Sequence, residues 1–513
     1  MKEVLPKVSR RQFIQGAAAA AAVWPQLAAA RQAASPSRVF RHGVASGDPL
    51  PDRVMIWTRV TSPAGATQVR WRVGTDEKLS NVIASAMLET SALRDHTVKV
   101  DVPGLSPGRT YYYAFDADGD TSVVGRTKTL PEESAERVRL ATVSCANYPA
   151  GYFNVYRCLA NRSDLDAVLH LGDYIYEFAN GVYGDGADSG RVPMPAGEAS
   201  TLADYRWRYA TYRTDIDLQA VHAAHPFIAV WDDHEIVNDA WRGGSPTHKG
   251  SEADWHVRQG AAYQAYLEWM PVRESTAPGI RLYRDFRFGR LVDLVMLDTR
   301  GLRDRQALPR DAVGANAPGR TLLGPDQEAW LFASLRRSQQ AGTAWRLLGQ
   351  QILFAPLAPT GTAPQNVDVW DGYPAARARV LDFVEQEKIS NLAVLTGDIH
   401  SSWAMDVPRN PFRGYVARTG AGSLAVELVT PAVSSPPFFA GAGMREASTL
   451  LRLAAPHLKY LEGDSRGYVL MEIDRKAIKA DWYFVPTVDK RSDAETRAVS
   501  FVCERGSSRL AST

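Results

Sequence analysis

Four short apolar runs in this chain stop at side chains that bind cations. Ala167-Val-Leu-His-Leu-Gly leads into Asp173, Tyr176 and Glu177, and Leu140-Ala-Thr-Val-Ser leads into Cys145 and Asn147. Phe227-Ile-Ala-Val-Trp ends at Asp232, Asp233, His234 and Glu235, and Leu392-Ala-Val-Leu-Thr-Gly ends at Asp398 and His400. Apolar, partly β-branched runs of this length, bounded by turn signals, read as buried strands. In open α/β sheets, sites form beyond the carboxyl ends of such strands. The pattern therefore predicts four strands that aim Cys, Asp, Tyr, Asn and His at one place.

Ahead of these runs the period changes. From about Phe40 to Leu130 polar and apolar residues alternate in Arg53–Val60, Gln68–Val73, Thr97–Val102, Thr110–Phe115 and Thr121–Val124, with Gly and Pro turns between them. Short strands at this spacing predict an N-terminal β-sandwich, immunoglobulin- or fibronectin-like, over residues 38–130. It holds no cluster of ionisable groups, which favours a packing or positioning role. Glu132-Glu-Ser-Ala-Glu136 reads as a linker, and residues 137–485 then alternate strands with helical stretches, an α/β pattern. A helix after Gly151 should end near Asn161 and Ser163. Gly324-Pro325-Asp326 starts another, and residues 376–387 carry apolar positions at helical spacing. The long polar and aromatic insertions at 180–215 and 236–280 should wall the site. Tyr468–Ile473 and Ala480–Val485 read as a closing hairpin, and the charged tail, 486–513, as a surface helix or a lid.

Composition narrows the class. The chain has 513 residues, enough for two or more domains, and its 45% hydrophobic and 23% charged content is ordinary for a soluble protein. Setting aside residues 1–30 removes Lys2, Lys7, Arg10, Arg11 and Glu3, leaving 55 basic against 56 acidic residues. No broad basic face for nucleic acid is expected. Ser9-Arg10-Arg11-Gln12-Phe13-Ile14-Gln15 precedes an alanine-rich apolar stretch, and Ala28-Ala29-Ala30 offers a small-residue cleavage site. Residues 1–30 thus read as a signal peptide for the twin-arginine export machinery, cleaved near Ala30, which sends the protein to the periplasm or outside the cell. The apolar run is shorter than the ~20 residues that span a bilayer, so no transmembrane segment is expected in the mature chain. Of three cysteines, Cys158 and Cys503 read as plain buried residues, whereas Cys145 ends a strand beside Asn147.

The residue types define a chemistry. A carboxylate such as Asp173 can bridge two cations ~3.5–4 Å apart. Tyr176, three residues on, can return to one of them as a hard phenolate suited to ferric iron, and Cys145 adds a thiolate. Asp398 and His400 share one strand face. The adjacent acids Asp232 and Asp233 suit two oxygen-loving divalent ions, leaving His234 to bind phosphate or to act as general acid.

Gly172-Asp173-x-x-Tyr176, Asp233-His234-Glu235 and Gly397-Asp398-x-His400 resemble the blocks of the metallophosphoesterase superfamily, in which Gly-Asp, Gly-Asn-His-Glu and Gly-His-x-His surround two metals. Asp233 stands where Asn is usual, Asp398 where His is usual, and Cys145 where Asp is usual. With Asp173-Tyr-Ile-Tyr176, Leu297-Asp-Thr-Arg300 and the paired arginines, these departures are similar to the alkaline phosphatase D (PhoD) family over nearly the whole mature chain. That resemblance implies a β-sandwich followed by a metallophosphoesterase-type α/β sandwich. It also implies one ferric ion with calcium, two ions of the latter, and hydrolysis of phosphate monoesters or diesters outside the cytoplasm. Carried over, Cys145, Asp173, Tyr176 and His400 hold iron with Asp173 bridging, Asp233 and Asp398 hold calcium, and Asp232 and Asn238 serve a second calcium.

The expected mechanism is attack of metal-activated hydroxide on phosphorus, in line with the leaving oxygen. His234 then steadies a phosphate oxygen or protonates the leaving group, with Asn147 and Arg157 as candidate phosphate contacts. Arg157 reads equally well as a helix-surface charge, and Asp298 with Arg300 as a structural ion pair. Gln350 and Gln351 are candidates for lining the site, without an assigned role. Three alternatives stand beside this reading: a phospholipase D-like phosphodiesterase of the same fold, a non-catalytic extracellular binding protein with a structural metal site, and a zinc hydrolase, which would call for more histidine ligands.

Overall fold

Strands form where the four apolar runs predict them: Arg137–Val143, Ala167–His170, Pro226–Ala229 and Leu392–Thr396, with every residue of the last three buried. In this computed structural model the described residues are 37–513 apart from 62–64, 134, 276–279, 309–310, 358–361, 363, 365 and 439–443. The signal peptide expected over 1–30 lies outside the described residues. Strand Ala167–His170 pairs in parallel with both Arg137–Val143 and Pro226–Ala229 in a ten-stranded sheet. Leu392–Thr396 lies in a second, seven-stranded sheet, parallel to Trp345–Gly349 and Ser423–Val429. Parallel strands covered on both faces read as unbroken apolar runs, which is why they stand out in the sequence. Leu140 and Val143 of the first sheet share a core with Leu294, Leu347, Leu395 and Val426 of the second, so the two sheets pack face to face. A second core lies beneath helices Gly324–Gln340 and Pro374–Gln386, through Leu331, Leu335, Val380 and Val384. A bridge between Ser144 and Ala432 ties the two sheets where the site forms.

The β-rich N-terminal part folds as a sandwich whose one sheet is not its own. Val44–Gly47, Arg53–Arg59 and Thr97–Pro103 extend the ten-stranded sheet, Val44–Gly47 pairing in parallel with Pro226–Ala229. Opposite them a five-stranded sheet is built on Val82–Thr90, Thr67–Gly74 and Thr110–Ala117. Val54, Ile56, Val69, Val73, Tyr113 and Phe115 fill the space between. Val82–Thr90 has no alternation to read because nearly all of it is exposed at the sheet edge, and the strand expected over Thr121–Val124 shrinks to Asp120–Thr121.

The hairpin forms as Arg466–Asp474 and Ala477–Val485. The tail is neither a surface helix nor a lid: Thr496–Glu504 and Leu510–Ser512 continue the sheet beyond that hairpin. Phe501 and Cys503 turn inward at alternate positions, and Leu510 does so opposite Cys503 on the next strand. The insertions carry helices Leu202–Tyr212 and Glu252–Trp269, each opened by a capping box, Thr201 with Asp204 and Ser251 with Asp254. Among the described residues no helix is long and apolar enough to cross a membrane.

Candidate metal centre

The strand ends are bent to bring their side chains together. Cys145, Asp173, Asp398 and His400 all adopt left-handed backbone, with φ of 63°, 56°, 62° and 49°. For non-glycine residues this costs on the order of 1–3 kcal/mol each and persists only where the surroundings enforce it. Here the enforcement is visible. Cys145 N–H donates to Gly172 C=O at 3.1 Å and Ala146 N–H to Asp173 C=O at 2.9 Å. The buried Glu235 carboxylate accepts the N–H groups of Asp173, Tyr174 and Asp232 at 3.1, 2.6 and 2.7 Å, clamping two strand ends. The glycines preceding the acids serve close approach: a Cβ on Gly172 would lie 2.3 Å from Asp232 Cβ, and one on Gly397 2.8 Å from Ser144 Cβ.

Three sets of donor atoms result, each within 4.8 Å: Cys145, Asp173 and His400; Asp173, Asp233 and His234; Asp232, Asp233 and Asp398. Asp173 belongs to two of them. Tyr176 joins the first set, its hydroxyl donating to Asp173 Oδ2 at 2.8 Å and lying 3.1 Å from His400 Nε2. Ser435 braces it, 2.8 Å from the Tyr176 hydroxyl and 2.9 Å from Cys145 C=O. Asp173 Oδ1 and Asp232 Oδ2 are buried without a hydrogen-bond partner. Unpaired buried acceptors are costly, and cations would satisfy both, so the donor set fits metal ions.

Charge is distributed to match. Burial pushes Asp173 up, but His234, His400 and the Tyr176 hydroxyl bring it down to about 2. Burial, with Asp173 adding to it, pushes the Cys145 thiol and the Tyr176 phenol well up, so both keep their protons in the metal-free fold and a cation held there would have to displace them. Burial raises Asp398 to about 8 against the pull of Arg300.

Arg300 corrects one expectation. Its guanidinium does not pair with Asp298, whose carboxylate instead accepts the N–H groups of Arg300 and Gly301 at 2.9 and 2.8 Å. It lies fully buried among acids, bonded to Asp232 and Asp368, 2.7 Å from Asp398 and 3.6 Å from Asp233. Arg303 supports it from behind, 2.6 Å from Asp368.

His234 Nδ1 lies 2.7 Å from the Glu177 carboxylate, whose other oxygen accepts Asn238 N–H at 2.7 Å. Asn238 is thus placed beside the site by its main chain. Asn147 is buried; its Nδ2 donates to Tyr183 C=O and its Oδ1 is unpaired. Arg157 is not brought to the cluster: its guanidinium pairs with Asp217, which Arg491 also binds, because its helix turns it toward Ile216–Ala224. Gln350 and Gln351 brace loops, Gln351 accepting Thr299 N–H at 3.0 Å and Gln350 donating to Thr396 Oγ1 at 2.6 Å. Sequence reasoning gave no role to Glu177 or Glu235, although both lie inside the motifs. It missed Tyr183, Asp368 and Ser435, which sit in loops with no strand-end signature.

Residues 140–482 match the family model described as PhoD-like phosphatase, and residues 26–131 match that of the PhoD-like phosphatase N-terminal domain. The chain is 37% identical to alkaline phosphatase D of Bacillus subtilis (strain 168), covering 97% of this chain and 88% of that one. A solved structure of PhoD superposes with a TM-score of 0.84 at 36% identity, over 94% and 93% of the two chains. The purple acid phosphatase PPD1 from yellow lupin (Lupinus luteus) seeds superposes with a TM-score of 0.53 at 10% identity, over 90% of this chain and 74% of that one, a likeness of fold alone.

Proposed function

We propose, from the premise that this chain belongs to the PhoD-like phosphatase family, that it is an exported, metal-dependent phosphoesterase acting on phosphate monoesters or diesters. It is a hydrolase of phosphoric ester bonds. Cys145, Asp173, Tyr176 and His400 would hold ferric iron, a thiolate and hard oxygen anions beside one imidazole. Asp233 and Asp398 would hold calcium, with Asp173 shared, and Asp232 and Asn238 would serve a second calcium. When bound, such cations neutralise charge on the phosphate and make water a nucleophile toward phosphorus.

The chain's own groups do the rest. Glu177 can only accept, so His234 Nδ1 carries a hydrogen toward it. Burial works against the charged ring, but Glu177, Asp173 and Asp233 raise its proton affinity well above the ordinary value. With a proton on both nitrogens, His234 would have Nε2–H to give to a leaving oxygen. The rings of Tyr176 and Phe178, 4.2 and 5.2 Å away between centroids, fix the imidazole and shield it from water. Residues 38–130 act as a positioning domain, since Val44–Gly47, Arg53–Arg59 and Thr97–Pro103 continue the sheet that carries Asp173 and Asp233. The paired arginines at 10 and 11 support twin-arginine export with cleavage near Ala30.

The observation that carries this reading is Asp173: it stands between the Cys145 and His400 donors on one side and Asp233 on the other, with one oxygen bonded and the other buried and unpaired. The test is metal analysis of the purified native protein with chelation and add-back, assayed on a monoester and a diester. Iron should survive mild chelation, while activity falls and returns with calcium. Restoration by zinc alone would overturn the metal assignment.

A further inference from the structure

We infer that Tyr183 is a substrate-binding residue of this site, its phenol O–H donating to a phosphate oxygen of the bound ester. The inference rests on the phosphoesterase reading above and adds a residue to it. Tyr183 lies in the 180–215 insertion, half-buried, with its hydroxyl 2.9 Å from His400 Nδ1. The same nitrogen lies 2.9 Å from Pro436 C=O. A carbonyl oxygen can only accept, so Nδ1 carries a hydrogen; a bare Nδ1 would set one lone pair against another. That single N–H is shared between the carbonyl and the phenol oxygen, and the phenol is therefore an acceptor in this contact. Its own hydrogen is unused there. Among the described residues the Tyr183 hydroxyl has no other hydrogen-bond partner. In the metal-loaded site the same tautomer would leave His400 Nε2 free to bind a cation beside Asp173.

The free donor is held beside the cluster of metal-binding side chains. The Tyr183 ring stacks on His400 at 29° and 6.0 Å, and on His234 at 12° and 6.4 Å, between the expected iron ligand and the proposed acid. Its main chain is fixed by Asn147 Nδ2, and the loop is closed by Gly181 N–H donating to Gly184 C=O at 2.9 Å and by Asn180 Nδ2 donating to Asp185 Oδ1 at 2.8 Å. The phenol is thus ordered before substrate arrives, at little cost on binding. Donation to an anionic oxygen makes a hydrogen bond roughly twice as strong as a neutral one.

Tyr183→Phe keeps the ring and both stacking contacts and deletes only the hydroxyl. In the metal-loaded enzyme, kcat/KM should fall about 10- to 100-fold and the Kd of inorganic phosphate, by calorimetry, should rise about tenfold. Iron and calcium content should match the wild type. Wild-type phosphate affinity in the variant would overturn the inference. So would loss of metal from the variant, because the phenol would then act only through His400. The phosphoesterase reading itself is judged separately, on the metal content and activity of the wild-type sample.

Discussion

Replacing Arg300 by Gln removes the one guanidinium that Asp232, Asp233, Asp398 and Asp368 share. Asp368 keeps Arg303 and Gln306 as partners, so the loss falls on Asp232 and Asp398. Asp232 is buried and already has one unpaired oxygen, while Asp398 is half-buried, its side chain 20% exposed. Removing one partner from a buried ion pair costs ~3–5 kcal/mol, most of it the penalty of the stranded charge. Asp398 holds its proton up to about 8 in the metal-free fold, so the comparison is made above that pH, where its charge must be stranded or neutralised at a cost. The chelator-treated variant should therefore unfold at a markedly lower urea concentration than chelator-treated wild type. Calcium supplies the missing positive charge. A ligand that binds only the native state stabilises it by about 4 kcal/mol at a thousand times its Kd, enough to recover the deficit. Urea titrations of both proteins, chelated and calcium-loaded, read this directly. The variant should gain far more from calcium than the wild type does, and Arg300→Lys, which keeps the charge but loses the fork, should fall between them. Equal calcium-induced shifts in wild type and Arg300→Gln would refute the idea that Arg300 and divalent ions answer the same carboxylates.

Other expectations follow from the same geometry. Glu177 is the largest of the groups that raise His234 against burial, ahead of Asp173 and Asp233. In metal-free protein the imidazolium persists above the ordinary histidine range and is lost only as pH rises through the raised value. Glu177→Gln should therefore lower the pH at which the His234 ring deprotonates in chelated protein, followed by NMR; an unmoved titration would remove Glu177 as its partner. Asp398 titrates at about 8 in the metal-free fold against 3.8 as a free side chain, so the folded state favours the proton. Chelated protein should lose stability as pH climbs from about 4 to about 8, and saturating calcium should flatten that slope. Tyr176→Phe should abolish any phenolate-to-iron absorption in the visible, and unchanged colour would contradict its role as ligand.

The site was legible because its parts sit where parallel strands end. Strands buried on both faces leave unbroken apolar runs, and the residues that follow must turn sharply, so Cys145, Asp173, Asp233, Asp398 and His400 stand out against what precedes them. What escaped depends on contacts between distant segments. Arg300 reads as the partner of Asp298, two residues away, yet the strand end at Met296 carries its side chain across the sheet end to Asp232 and Asp398. Arg157 looks like a phosphate ligand until its helix face turns it to Asp217. Val82–Thr90 and Thr496–Glu504 lie toward sheet edges, where exposure or interspersed charge blurs the alternation. Tyr183 lies in a loop whose meaning appears only once His400 is beside it.

X-ray absorption at the iron K edge of the purified native protein addresses the central claim most directly, that residues far apart in the chain gather around cations. Iron should show one sulfur scatterer among oxygen and nitrogen ligands, and that sulfur should be lost in Cys145→Ser. Protein without iron, or iron without a sulfur neighbour, would contradict it.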